Sequence, residues 1–206
     1  MLNFKKTLIS IIVFLLFSPF TAQSQDLFKA KLGIAIKDDN GSRRARAIDR
    51  ITKGDKLIIY VKSEIDSYIY IVNSNNSGAS LLNRKPENQL IISDIGRQYP
   101  KQGSAYRPDG KEGLEKFVII ISKDKNKEII KRFSSGTISN KKWLAIEREI
   151  MKTSSLVSPF EPQQDIEFGG SLRGGDTIWD KLRVTVGKSM IAQKFEFDVK
   201  FYTVVS

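Results

Sequence analysis

The sequence predicts a mainly β protein: an antiparallel β-sandwich, immunoglobulin-like or similar, with one amphipathic helix, following a cleaved signal peptide. Three observations carry this expectation. Residues 194–205 alternate, with Phe195, Phe197, Val199, Phe201, Thr203 and Val205 on one face and Lys194, Glu196, Asp198 and Lys200 on the other. A period of two puts one face in a core and the other in water. Residues 117–121 contain no polar position, as in a strand buried on both faces at the centre of a sheet. Residues 140–152 place Trp143, Ile146 and Ile150 at helical spacing, with Leu144 and Met151 beside them and Lys141, Lys142, Glu147, Arg148 and Lys152 on the other side. That pattern is an amphipathic helix, packing on a sheet or across a sheet edge.

The remaining elements follow in chain order. Residues 27–36 alternate weakly and form a first strand, closed by the turn cluster Asp38-Asp39-Asn40-Gly41-Ser42 with its Asn-Gly hairpin signal. Arg43, Arg44, Arg46 and Arg50 surround Ala45, Ala47, Ile48 and Ile51; both a second strand and a short helix fit. Residues 56–63 and 68–72 are rich in β-branched and aromatic side chains and read as strands. With the short run 79–82 they suggest a three-stranded meander. Residues 83–114 are the longest irregular stretch, with short strands near 90–92 and 97–99. Residues 123–132 hold one helical turn, and Ser139 is the expected N-cap of the main helix. Residues 154–176 read as a linker. Residues 181–186 and 194–205 then form a terminal hairpin. The organisation expected is a signal peptide over 1–24, a β domain over 25–135, and the helix plus hairpin of 136–206 packed on the same domain.

Export is read from the start of the chain. Lys5 and Lys6 precede an apolar run over 8–17, and Ala22 and Ser24 stand at the −3 and −1 positions of a cut before Gln25. The apolar run is too short to span a bilayer, which takes ~20 residues. The expected location is periplasmic or extracellular. Removal of 1–24 leaves 182 residues, enough for one sizeable core. The chain has no cysteine, so disulfides contribute nothing. The formal charge of +11, or +9 after loss of Lys5 and Lys6, favours anionic partners. In an envelope these are lipopolysaccharide, acidic glycan or anionic headgroups; another envelope protein is the further partner class. The competing reading of the charge is simple solubility, with lysines scattered over strand faces. No nucleic-acid-binding pattern occurs.

With neither histidine nor cysteine, Ser-His-Asp and Cys-His nucleophile systems and His/Cys metal sites are excluded. No cofactor is expected. Carboxylate pairs, Ser-Lys dyads and all-oxygen metal sites remain; carboxylate pairs are the serious survivor, because glycoside hydrolysis needs only two carboxyl groups at a defined separation. The candidates are Glu112, Glu115, Glu161, Asp165, Glu167, Asp176 and Asp180, none in a recognisable motif. Gly169-Gly170-Ser171-Leu172-Arg173-Gly174-Gly175 is a candidate anion loop in which Arg173, Gly174 and Gly175 make the contact. Its plainer reading is a connector. Trp143 and Trp179 lie beside apolar periodic residues and read as core anchors rather than stacking platforms.

The order of elements between Gly54 and Ser122 carries a resemblance. Gly54-Asp55 precedes a strand. Asp66 precedes Tyr68-Ile69-Tyr70-Ile71-Val72-Asn73, Gly78 follows in a turn, and a polar loop leads to Pro100. Gly113 and Glu115 then open the strand ending at Ser122. This resembles the bacterial domain of unknown function 4384, over about a third of the chain. The family's Leu-Phe-Pro-Asn step is replaced here by Leu81-Leu82-Asn83-Arg84-Lys85-Pro86. The resemblance implies a binding or scaffolding accessory without a catalytic role. It marks Gly54, Asp55, Tyr68, Tyr70, Asn73, Gly78, Gly113 and Glu115 as structural motif positions.

The expected function is therefore an exported, non-enzymatic envelope binding or scaffolding module. The alternative is a small carboxylate-dependent glycan hydrolase. A third reading, a subunit of a surface assembly, predicts an exposed apolar patch on the strands at 68–72 or 195–205.

Overall fold

The structure, a computed structural model, describes residues 27–38, 41–108, 113–154 and 182–200. The signal-peptide region 1–24, the linker with its glycine loop, Trp179 and residues 201–205 of the last strand lie outside these.

The described chain is mainly β, in two sheets. Sheet I contains β1 (Phe28–Asp38), β2 (Gly41–Arg44), β4 (Lys56–Ser63), β8 (Arg97–Tyr99) and β10 (Arg183–Gly187), in the order β10-β1-β4-β8 with β2 also on β1. Sheet II contains β3 (Ile48–Thr52), β5 (Ser67–Asn75), β6 (Gly78–Leu81), β7 (Leu90–Ile91), β9 (Gly113–Ser122) and β11 (Met190–Lys200). Its order is β3-β11-β9-β5-β6, with β7 on the end of β5. Among the described residues two helices follow β9: α1 (Lys127–Arg132) and α2 (Asn140–Thr153).

Alternation builds the layers. Leu32, Ile34 and Ile36 of β1 and Leu57, Ile59 and Val61 of β4 meet Ile69 and Ile71 of β5, Phe117, Ile119 and Ile121 of β9, and Phe195, Phe197 and Val199 of β11. This is one core shared by both sheets. The opposite faces of β5 and β9 are also apolar. Tyr70, Val72, Val118 and Ile120 join Ala192 in a second core against Ile129, Phe133, Trp143 and Ile150 of the helical segment. The expected central strand is therefore β9, paired with β11 and β5 and buried on both faces. The molecule is layered sheet, sheet, helices.

Four local differences from expectation share one cause, the chain changing sheets at short corners. The basic stretch around Ala45 is two strands in different sheets, β2 on β1 and β3 beside β11. Asp49 holds this corner: it accepts from Arg43 at 2.5 and 3.1 Å and from the backbone N–H of Arg46 and Arg50. The guanidinium of Arg43 is held above its ordinary range, first by this hydrogen bond, against the opposing effect of burial. The β3–β11 pair is parallel, whereas the other ladders are antiparallel. The expected meander is broken at residues 64–66, where β4 ends in sheet I and β5 begins in sheet II. Finally, no ladder among the described residues joins β10 to β11. The expected hairpin is a corner between the sheets, drawn so tight that a Cβ on Gly187 would lie 2.6 Å from the Met190 carbonyl oxygen.

The helix expected over 140–152 is α2. Ser139 makes no side-chain cap; its carbonyl instead accepts from Trp143 N–H at 3.0 Å. The single turn expected over 123–132 is α1, capped by Asn126, whose Oδ1 accepts from Ile129 N–H at 3.0 Å.

Candidate functional site

Sheet register assembles the first candidate surface. Residues directly opposite one another on paired strands share a face. On the outward face of sheet I, Lys31 stands opposite Lys62 and Lys37 opposite Lys56, with Gly33 facing Tyr60 and Ala35 facing Ile58 between them. Lys29 falls on the same face by alternation along β1, and Arg44 through its register with Ala35. The face thus carries two cationic ends, Lys29/Lys31/Lys62 and Lys37/Lys56, separated by a small and apolar middle in which Gly33 and Ala35 are buried, with Leu182 packed 3.0 Å from where a Cβ on Gly33 would lie, and Ile58 and Tyr60 half-buried. From Lys31 to Lys37 the strand advances roughly 20 Å at ~3.4 Å per residue. Like charges placed directly opposite oppose folding. Lys62 reaches Asp94 at 3.6 Å, with Asp94 largely exposed, so this ion pair offsets little.

The second candidate lies on the far side, between α1 and α2. Residues 123–154 contain nine Lys or Arg against four Asp or Glu. Ala145, Ile146, Glu149, Ile150 and Thr153 form one wall on α2, while Glu128, Ile129 and Arg132 form the other on α1. Ile138 and Met190 contribute between them, and Lys131 and Lys142 also line the opening. The groove measures about 890 Å³.

The expected motif residues explain how that helical layer is mounted. Tyr70 is fully buried, and its hydroxyl accepts from Asn126 N–H at 2.7 Å, tying the α1 cap to β5. Gly78 has φ of 147°, and a Cβ there would sit 2.6 Å from the Ile138 carbonyl oxygen. That contact flanks a two-way backbone bridge between Ala79 and Ile138, at 2.8 and 2.9 Å, which leads into α2. Gly54 and Asp55 lie in the turn before β4, where Asp55 Oδ2 accepts from Thr52 N–H at 2.8 Å. Tyr68 is half-buried against the second core. Asn73 Nδ2 donates to the Lys116 carbonyl at 3.4 Å, joining β5 to β9. Gly113 opens β9 at φ of 135°, and Glu115 is buried two residues on. These eight positions are scattered over turns and ladders and form no single cleft. Arg173, Gly174 and Gly175 lie outside the described residues, as do Glu112, Glu161, Asp165, Glu167, Asp176 and Asp180.

Two carboxylates that the sequence did not mark as a pair share one lysine. Glu147 of α2 and Glu196 of β11 both reach Lys194 Nζ, at 3.6 and 3.2 Å, and Lys116 reaches Glu196 at 3.5 Å. Burial pulls the Lys194 ammonium down, but the hydrogen bond and charge of Glu196, with those of Glu147, outweigh it and hold Lys194 above its ordinary range. Glu147 is only 6% exposed, under α2, and its Oε2 has no hydrogen-bond partner. This arrangement fixes the helix to the sheet rather than lining a cleft. The sequence pattern puts Glu147 with Lys141, Lys142, Arg148 and Lys152 on the charged side of α2, whereas the fold turns it inward with Trp143 and Ile150.

Asn83 was likewise missed. It is buried, accepts from Ile71 N–H at 2.9 Å and donates to the Ile69 carbonyl at 2.8 Å. It thereby continues the edge of β5 where β6 ends, and orders the loop whose sequence departs from the resembled family. The apolar patches expected on the strands at 68–72 and 195–205 are not exposed over the described residues. Tyr70 and Val72 lie under the helices, and Phe195, Phe197 and Val199 lie between the sheets.

No family model, no curated protein and no solved structure matches the chain.

Proposed function

We propose that the protein is an exported, non-enzymatic β-sandwich module, immunoglobulin-like or similar, that binds a linear anionic envelope polymer on the outward face of sheet I. The observation that carries this reading is the direct opposition of Lys31 with Lys62 and of Lys37 with Lys56. At the Lys37–Lys56 end stability alone disfavours such register, and a bound polyanion turns that repulsion into attraction, with Lys31 and Lys62 adding charge at the other end. Tyr60 and Ile58 between them give a sugar ring an apolar surface. An acidic glycan or the phosphates of lipopolysaccharide have this chemistry. The signal-peptide pattern supports placement in the envelope. The resemblance of residues 54–122 to the domain of unknown function 4384 supports an accessory rather than a catalytic role.

The test uses dextran sulfate against uncharged dextran, by calorimetry over a salt series. Affinity for dextran sulfate should fall steeply with salt, and fragments shorter than roughly 20 Å, the span of the two lysine pairs, should bind much more weakly. Lys37→Glu with Lys62→Glu should weaken binding by about tenfold or more, at ~1 kcal/mol per lost charge contact. Equal binding of charged and neutral dextran, or an unchanged affinity in the double variant, overturns the reading.

A further inference from the structure

The groove between α1 and α2 differs chemically from the lysine face, and we infer that it is a second binding site, taking the aliphatic chain of an anionic single-chain amphiphile. Three features select this ligand. At about 890 Å³ the groove falls within the size range of small-molecule pockets. Its floor is aliphatic: Ile129 and Ile150 are already buried there, and Ile138, Ile146 and Met190, half-buried against the same core, supply the open apolar surface between polar walls. A glycan alone leaves such a surface unsatisfied, whereas an acyl chain covers it.

Charge selects the headgroup. Arg132 is engaged by Glu128 at 2.8 Å, but Lys131 and Lys142 line the opening with no ion-pair partner among the described residues. Glu149 is the acidic group left facing them, so the mouth is net cationic and excludes a cationic amphiphile more than an anionic one. The groove is also built on rigid parts. Asn126 anchors α1 through Tyr70, and Glu147 with Lys194 anchors α2 to β11. A chain entering it meets walls already in place, which limits the ordering cost of binding.

Octanoate, decanoate and dodecanoate, each below its micelle concentration, are titrated into the full chain by calorimetry. Affinity should rise about fourfold per added methylene, the conversion of ~0.8 kcal/mol per buried CH₂. Ile146→Glu should flatten that series. Ala145→Trp fills the same space from an exposed position, so it checks the result if Ile146→Glu fails to fold. Lys131→Glu with Lys142→Glu should weaken all three probes by about tenfold while leaving the increment per methylene intact. A chain-length series that is flat in the parent protein, or an increment unchanged in both groove variants, overturns the inference. Dextran sulfate titrated into the same preparation separates the two sites. Retained polyanion binding beside a flat fatty-acid series removes the groove site and leaves the lysine face standing; a steep series without polyanion binding does the reverse.

Discussion

Sheet II turns Tyr70, Val72, Val118 and Ile120 outward and covers them with α1 and α2, while sheet I turns out Lys29, Lys31, Lys37, Lys56 and Lys62. The two sheets share one core and the same two-residue alternation, so their inner faces obey the same physics. Their outer faces do not. Where both faces of a strand are apolar, as in β5 and β9, a further layer has to cover the second face. Where the second face is polar, no layer is demanded, and what remains is chosen by something other than burial. On sheet I that choice includes the Lys37–Lys56 opposition, which local stability disfavours.

The largest effects should lie on the covered face. Trp143 is fully buried beside Phe133, with ring centroids 5.8 Å apart. Trp143→Ala should cost about 3–5 kcal/mol in chemical denaturation, whereas Tyr60→Ala on the outward face of sheet I should cost far less. Equal losses at the two positions would erase the contrast between the faces.

The shared core supplies the next effect, through pH. Burial pushes the phenol of Tyr99 up to about 12, and likewise that of Tyr106. A raised folded-state pKa leaves stability intact below the unfolded value near 10 and removes it as pH climbs from there towards 12. For Tyr99 the loss should be on the order of 2–3 kcal/mol, at ~1.4 kcal/mol per pH unit. Denaturation midpoints followed across alkaline pH, alongside phenolate absorbance, measure it. Tyr99→Phe should shrink the decline.

The pinning of α2 comes third. Lys194→Met leaves the buried Glu147 carboxylate without its cation and should cost about 1–3 kcal/mol. Glu147→Gln in the same background should recover part of that, since a neutral amide tolerates burial better. Absence of recovery would mean that Lys194 acts through its aliphatic stem instead. The smallest effect has the opposite sign. Lys37→Glu replaces a like-charge opposition with an attractive pair to Lys56, and should raise stability by about 0.2–1 kcal/mol at low salt. A variant that gains stability while losing polyanion binding would show that the lysine face is kept for contact.

Much of this was legible one segment at a time. The β4 strand, the doubly buried run of β9 and the span of α2 follow from residue type and period, because burial acts on each face of each element separately. Which sheet each strand joins was not legible. Corners at 64–66 and 188–189 look locally like hairpin turns, while Ala45-Arg46-Ala47 carries no turn signal at all, and only packing decides that β4 and β5, or β10 and β11, part company. Buried polar residues were missed for a related reason. Asp49, Asn83 and Glu147 carry the side chains of turns and solvated faces, and their partners are supplied by backbone or strands distant in sequence. One signal was present for Asp49, a single carboxylate inside a run of four arginines. Glu147 carried one too, standing four residues after Trp143 and three before Ile150 on the buried stripe of α2, whereas nothing local distinguishes Asn83 from exposed neighbours.

The position of β11 has a consequence for how the chain is made. It lies between β3 and β9, so β3 stays detached from the β9-β5-β6 part of sheet II until residues 190–200 are in place. A ribosome releases β3, β5 and β9 long before the strand that joins β3 to β9. Any part of the chain that folds before β11 is in place therefore presents two open edges, on β3 and β9, and such edges recruit other chains. A truncation ending before β10 should accumulate as aggregate rather than as a smaller folded protein.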